Sequence, residues 1–258
     1  MKLLCLFALI VLYSIYYPYV VQAQDNYEIQ VYSADLVEEH HTMFELHSNY
    51  TINGTKVGQD NMFASNHLVH ETLEITHGFS KWFEIGTYIF TSIGSDGRTG
   101  FAGTHVRPRF AIPEEYNLPV GISLSTELGY QRLPFFDRQW LAELRPIIDK
   151  KIDKFYFAIN LTVDLSLDRN QHDGLLFNPC FKSSFEASKK VDLGIEYYAG
   201  LGAFKQFDPI QNQKHSIFGV VDWNFNPDWE FNAGLGYGLT SGTDKLIVKL
   251  ILGYRLPI

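Results

Sequence analysis

Four side chains, His47, His70, Tyr88 and His105, are the first candidates for chemistry in this chain of 258 residues. If neighbouring strands bring them into one layer, the three imidazoles offer metal-binding nitrogens, with Glu45 and Glu74 one step below. The plainer reading, a polar wall that happens to use histidine, is preferred, and no metal or cofactor is expected. A second group consists of opposite charges. Pairing strands through the turns puts Glu84 near Arg109, Glu127 near Arg145, Lys182 near Glu196 and Glu230 near Arg255. Opposite charges on facing strand positions support register, and a ring of them braces a narrow pore. These residues are read as struts of a polar interior, because ion-pair networks are often structural. Nucleophilic catalysis needs a base beside the nucleophile and a third group to orient that base. No G-x-S-x-G motif occurs, and the best assembly, Ser166 with His172 and Asp173, is ordinary loop composition. A non-enzyme is expected, with an outer-membrane hydrolase as an alternative.

Such positions need strands to hold them. Beyond residue 41 the chain alternates apolar and polar residues in about twelve segments of roughly ten residues, the period of β-structure. They cover 42–52, 66–77, 82–93, 100–112, 119–132, 140–151, 154–167, 175–187, 191–203, 215–225, 229–239 and 246–256. In the seventh, Phe155, Phe157, Ile159, Leu161, Val163, Leu165 and Leu167 share one face, and Tyr156, Asn160, Thr162, Asp164 and Ser166 the other. Connections alternate too, tight at 78–81, 152–153, 188–190 and 226–228, and mostly longer and polar at 53–65, 94–99, 133–139, 168–174 and 204–214. An even number of strands with short turns on one rim and longer loops on the other predicts an antiparallel transmembrane β-barrel of about 12 strands. Both termini are then expected on the short-turn, periplasmic rim. Pro108, Pro146 and Pro179 sit awkwardly, because each removes a ladder hydrogen bond from a sheet without edges.

The flanking features give an address. Lys2, the apolar run Leu3 to Tyr17, Pro18 and Val21-Gln22-Ala23 predict a signal peptide over 1–23; the run falls short of the ~20 residues of a spanning helix. Cys180 is then the remaining cysteine, so no internal disulfide is expected. Residues 24–41, with Asp35-Leu36-Val37-Glu38-Glu39-His40, are read as a periplasmic segment or a lumen plug with a short helix, and 42–258 as the barrel. Hydrophobic residues at 46% against 19% charged exclude a disordered chain. An excess of acids, 29 Asp and Glu against 21 Lys and Arg, argues against nucleic acid as a partner.

The run Gly78-Phe79-Ser80-Lys81-Trp82-Phe83-Glu84-Ile85-Gly86 resembles the turn-and-strand unit of Gram-negative outer-membrane barrels. Gly103-Thr104-His105-Val106-Arg107-Pro108-Arg109, followed by Leu118-Pro119-Val120-Gly121-Ile122-Ser123-Leu124, resembles barrels loosely grouped with the outer-membrane proteins of phenol-degradation pathways. That resemblance implies an outer-membrane location, contact with membrane lipid and lipopolysaccharide, and insertion by the barrel-assembly machinery. Ile258 departs from the terminal aromatic residue of such barrels, and Tyr254 is the nearest substitute. The leading function is passive passage of small solutes, with Arg107, Arg109 and Arg145 facing acids across a constriction. The alternative is a closed structural or surface-interaction barrel. Openness of the lumen discriminates them.

Overall fold

A computed structural model describes residues 26–58, 62–95, 97–169 and 174–257. The predicted signal peptide, His172, Asp173 and Ile258 lie outside the described residues. Alternation produces long strands: β1 (His41–Asn53), β2 (Leu68–Ser80), β3 (Phe83–Ile93), β4 (Gly100–Ala111), β5 (Gly121–Gln131), β6 (Trp140–Ile152), β7 (Phe155–Ser166), β8 (Leu175–Ser188) and β9 (Val191–Gly200). A small ribbon, β10 (Gly202–Ala203) and β11 (Gln206–Phe207), precedes β12 (Lys214–Trp223), β13 (Trp229–Gly238) and β14 (Leu246–Pro257). Each long strand pairs antiparallel with its neighbours; β9 pairs with both β8 and β12, and β14 pairs with β1. The ring of twelve strands is therefore closed. The ribbon, whose first strand falls inside the predicted segment 191–203 and whose second falls in the predicted connection 204–214, extends the long-loop rim beside β8 through the pairing of Ala203 with Leu176.

Closure fixes what each face meets. Phe44, Leu46, Leu73, Ile89, Leu128, Leu144, Ile159, Phe181, Ile195, Leu235 and Leu252 point outward and stay exposed. Aromatic side chains gather at the rims. Trp82 stacks on Phe110 and Trp229 packs at a tilt against Tyr254 at the short-turn end, and Tyr130 meets Trp140 at the other. An apolar band between aromatic girdles is the outer surface of a membrane-spanning barrel.

The three prolines all face outward, and each meets a gap in the ladder. The β4–β5 pairing skips Arg107 and Pro108, where Thr126 Oγ1 donates to the Pro108 carbonyl at 3.1 Å. The β6–β7 pairing skips Arg145 and Pro146, and the β8–β9 pairing ends at Cys180, one residue before Pro179 is reached. No bulge is needed at any of them, since the missing N–H points where no partner carbonyl is engaged.

Inside the barrel runs the segment 26–38. Its four buried apolar clusters each contain a residue of this segment: Tyr27 with Tyr88, Phe90 and Phe136; Ile29 with Phe218, Val220 and Ile247; Val31 with Ala158 and Cys180; Tyr32 and Ala34 with Ile147. The wall itself begins and ends at the short-turn rim, where His41 pairs with Pro257. Asn26, at the far end of the inner segment, lies at the opposite rim beside Thr51 and Asp244. The segment traverses the lumen before β1 starts. The short helix expected near residues 35–40 is not formed. The N–H groups of Ala34 and Val37 go instead to wall carboxylates, Asp149 at 2.9 Å and Glu84 at 2.6 Å. Gly78 permits the close approach at the short-turn end, because a Cβ there would lie 2.3 Å from the carbonyl oxygens of Val37 and Glu38.

Candidate functional site

An extended segment without a strand partner leaves its N–H and C=O groups to be satisfied by something else. In this barrel the inward side chains of the wall do it. Asn160 on β7 grips both groups of one residue, accepting from the Tyr32 N–H and donating to the Tyr32 carbonyl, each at 2.9 Å. Thr72 donates to the Tyr27 carbonyl at 2.7 Å, Asn49 to that of Asn26 at 2.8 Å and Lys249 to that of Ile29 at 3.0 Å. Arg109 donates to the carbonyls of Ser33 and Asp35. Asn26 in turn donates to Asp244 at 2.6 Å and Thr51 at 3.2 Å.

Charge is organised around Tyr32. Its ring is flanked by the guanidinium groups of Arg145, Arg107 and Arg109 at 4.9, 5.1 and 5.6 Å, a favourable placement of cations against a π face. Its hydroxyl donates to Glu28 at 2.7 Å and lies 3.0 Å from that of Tyr88. Arg145 pairs with Glu28 at 3.0 Å, Glu143 at 2.7 Å and Glu127 at 3.8 Å. Arg107 pairs with Glu74 at 2.5 Å and Glu84 at 3.1 Å, and Arg109 with Glu84 at 3.5 Å. Across the lumen, Lys249 and Lys182 hold Glu196 at 2.5 and 3.4 Å. These charges lie away from bulk water, so each depends on its partners.

The segment divides the lumen into two chambers, each of about 720 Å³. The upper one faces the long loops and is lined by Tyr27, Phe63, Phe135, Phe136 and Tyr198 together with Glu127, Asp164, Arg138 and Lys214. The lower one faces the short turns and is lined by Glu45, Glu84, Glu230, Asp222, Arg107, Arg255 and Lys154. Among the described residues Gln30 alone lines both, and its buried Oε1 has no hydrogen-bond partner there.

The predicted site residues fall into this frame unevenly. Three of the four expected ion pairs form: Glu84–Arg109, Glu127–Arg145 and Lys182–Glu196. Glu230 and Arg255 do not pair. Glu230 stands opposite Gly253, and Arg255 donates to the Pro227 carbonyl at 3.0 Å. The histidine layer does not form. His47 stands level with Thr72, His70 with Asn49, and Tyr88 with both Glu74 and His105. His105 is held by Glu127 at 3.0 Å and Gln131 at 3.2 Å, in space left by Gly129, whose Cβ would fall 2.2 Å from the imidazole ring. His70 packs edge-on against Tyr27, with ring centroids 4.7 Å apart. Tyr32, Gln30, Glu28, Asn160 and Lys249 are central here and absent from the predicted set. The alternating apolar residues Tyr27, Ile29 and Val31 were the signal that 26–31 lies extended against a wall.

No protein-family model matches this chain, and no curated protein matches it by sequence. Solved structures share its fold at low identity. The COG4313 outer membrane channel from Pseudomonas putida F1 superposes with a TM-score of 0.64 at 11% identity, over 89% of this chain and 100% of that one. The NanC porin does so with 0.58 at 10%, over 83% and 100%, and the KdgM porin with 0.55 at 10%, over 82% and 98%. Proteins similar to this chain in architecture are thus barrels described as channels and porins.

Proposed function

We propose that this chain is an outer-membrane channel through which small solutes pass passively, with the segment 26–38 narrowing the route. The observation that carries this reading is the pair of chambers that face opposite rims and meet at Gln30. The apolar outer band and the channel and porin architecture of similar folds support the location. In that membrane the short turns face the periplasm, and a signal peptide over 1–23 serves export. Lipid and lipopolysaccharide cover the outer band, and the barrel-assembly machinery inserts it.

The lining narrows the class of solute. A KdgM porin has been seen in complex with disordered oligogalacturonate, an acidic chain. Here carboxylates outnumber cationic side chains in both chambers, which disfavours polyanions. The rings of Tyr27, Phe135, Phe136 and Tyr198 in the upper chamber suit small aromatic solutes with a polar group, in line with the resemblance to barrels of phenol-degradation pathways. The closed-barrel reading draws on one observation, the many wall side chains tied to the inner segment. Planar-bilayer recording separates the two. A channel gives unitary conductance that falls at least twofold in Gln30→Trp and rises in Gln30→Ala. A bilayer that stays silent for all three proteins leaves the closed barrel.

A further inference from the structure

One buried cluster is left over by the network around Tyr32. On β1, Glu45 and His47 project inward one above the other, and the ladder sets Glu45 directly opposite Glu74 of β2. Like charges on facing strand positions destabilise a sheet, and here both carboxylates are buried, Glu45 at 6% exposure and Glu74 at 0%. Glu74 is half compensated. Its Oε1 accepts from Arg107 at 2.5 Å and Thr76 at 2.8 Å, while Oε2 has only long contacts, 3.5 Å to Tyr32 Oη and 3.5 Å to His47 Nε2. Glu45 makes no hydrogen bond or ion pair among the described residues. His47 is fully buried; among the described residues neither ring nitrogen completes a hydrogen bond, and Nε2 has only the long contact to Glu74. An unpartnered buried imidazole costs free energy that a ligand on its nitrogen would recover.

One donor atom from each of Glu45, His47 and Glu74 lies within 4.8 Å of the other two. Small rotations bring such atoms to the roughly 2.0–2.2 Å at which imidazole and carboxylate bind zinc. We propose that Glu45, His47 and Glu74 bind one divalent cation of the zinc class. Two carboxylates and the cation cancel in charge, and His47 gains a partner. Arg107 and Thr76 act as the outer supports that orient Glu74, as second-sphere groups do at metal sites. Glu45 lines the lower chamber, which gives the ion its entry and a place for a water ligand. A hard cation such as calcium takes six to eight oxygens, which three donors including one nitrogen do not supply.

Detergent-purified full-length protein, stripped with chelator, is titrated with zinc by calorimetry, with calcium as the comparison. The expected result is one zinc per barrel, no saturable calcium binding, and at least a tenfold loss of zinc affinity in both Glu45→Gln and His47→Gln. His70→Gln, which alters an imidazole outside the cluster, keeps the affinity of the unchanged protein. Heat-modifiable migration in gels establishes that each variant retains its barrel. Absence of saturable zinc binding, or equal affinity in the Glu45→Gln/His47→Gln double variant, overturns the proposal.

Discussion

Replacing Asn160 by leucine tests whether wall side chains hold the inner segment by completing its backbone. Leucine has a similar size but neither accepts nor donates, so the Tyr32 N–H and C=O both lose their partner. Leaving a buried backbone group unpaired costs about 1–3 kcal/mol. Two such losses, with water from the chambers relieving part of them, give about 2–4 kcal/mol against docking of the segment. Leucine packed near Val31 and Ala158 recovers about 1 kcal/mol of apolar burial. The net change of about 1–3 kcal/mol raises the undocked population roughly 5- to 150-fold. Cys180 reports it directly. Its thiol packs beneath Val31, 3.6 Å from Asn160 Oδ1, and is 7% exposed. Alkylation by a bulky maleimide in folded protein should therefore accelerate by a similar factor, because local opening controls access. Conductance should rise in parallel. Equal alkylation rates in Asn160→Leu and the unchanged protein would refute the idea that this side chain bears the segment's backbone.

Two further changes probe the wall. Arg107→Met strips Glu74 and Glu84 of a buried partner, and a loss of about 3–5 kcal/mol in urea unfolding from phospholipid vesicles is expected; a loss below 1 kcal/mol would show that water already serves these carboxylates. On the outer face, Glu71 alternates with lumen-facing His70 and Thr72, and accepts from Ser48 Oγ at 2.7 Å. Replacing both as Ser48→Ala and Glu71→Leu removes a carboxylate from the lipid side, and a gain of about 1 kcal/mol is expected in the same assay. A net loss would mean that this face packs against protein rather than lipid.

The wall was legible in the amino-acid sequence because lipid imposes an unbroken rule on one face. Every second residue of segments such as 155–167 had to be apolar, and the strand limits followed to within a few residues. Register was legible across short connections. The turn at 189–190 ties β8 to β9, and Lys182 duly meets Glu196; the six residues 94–99 still hold β3 to β4 closely enough that Glu84 meets Arg109. The connection 54–67 transmits no such constraint from β1 to β2, so His47 and His70 were placed level although the ladder pairs His70 with Asn49. Arg255 misled for another reason. At a strand end the rim supplies backbone carbonyls, and that of Pro227 outcompetes a carboxylate two residues deeper. The inner segment was hidden because its partners are scattered over the chain. Asn49, Thr72, Arg109, Asp149, Asn160 and Lys249 share no motif, only an inward orientation.

That scatter carries the functional argument further. A wall serving a water-filled pore needs polar side chains anywhere along its height, but Asn160, Lys249 and Thr72 are spent on one backbone. Freedom for a solute therefore lies where the segment turns a side chain rather than its backbone toward the chambers. Gln30 is that place. Ile29 is buried against Phe218 and Ile247, and Val31 against Ala158 and Cys180. The side chain between them is the one that meets both chambers, beside Tyr198 above and Glu196 below. In the proposed channel the width of the route would then be set by one carboxamide on a tethered segment, and not by the diameter that twelve strands enclose.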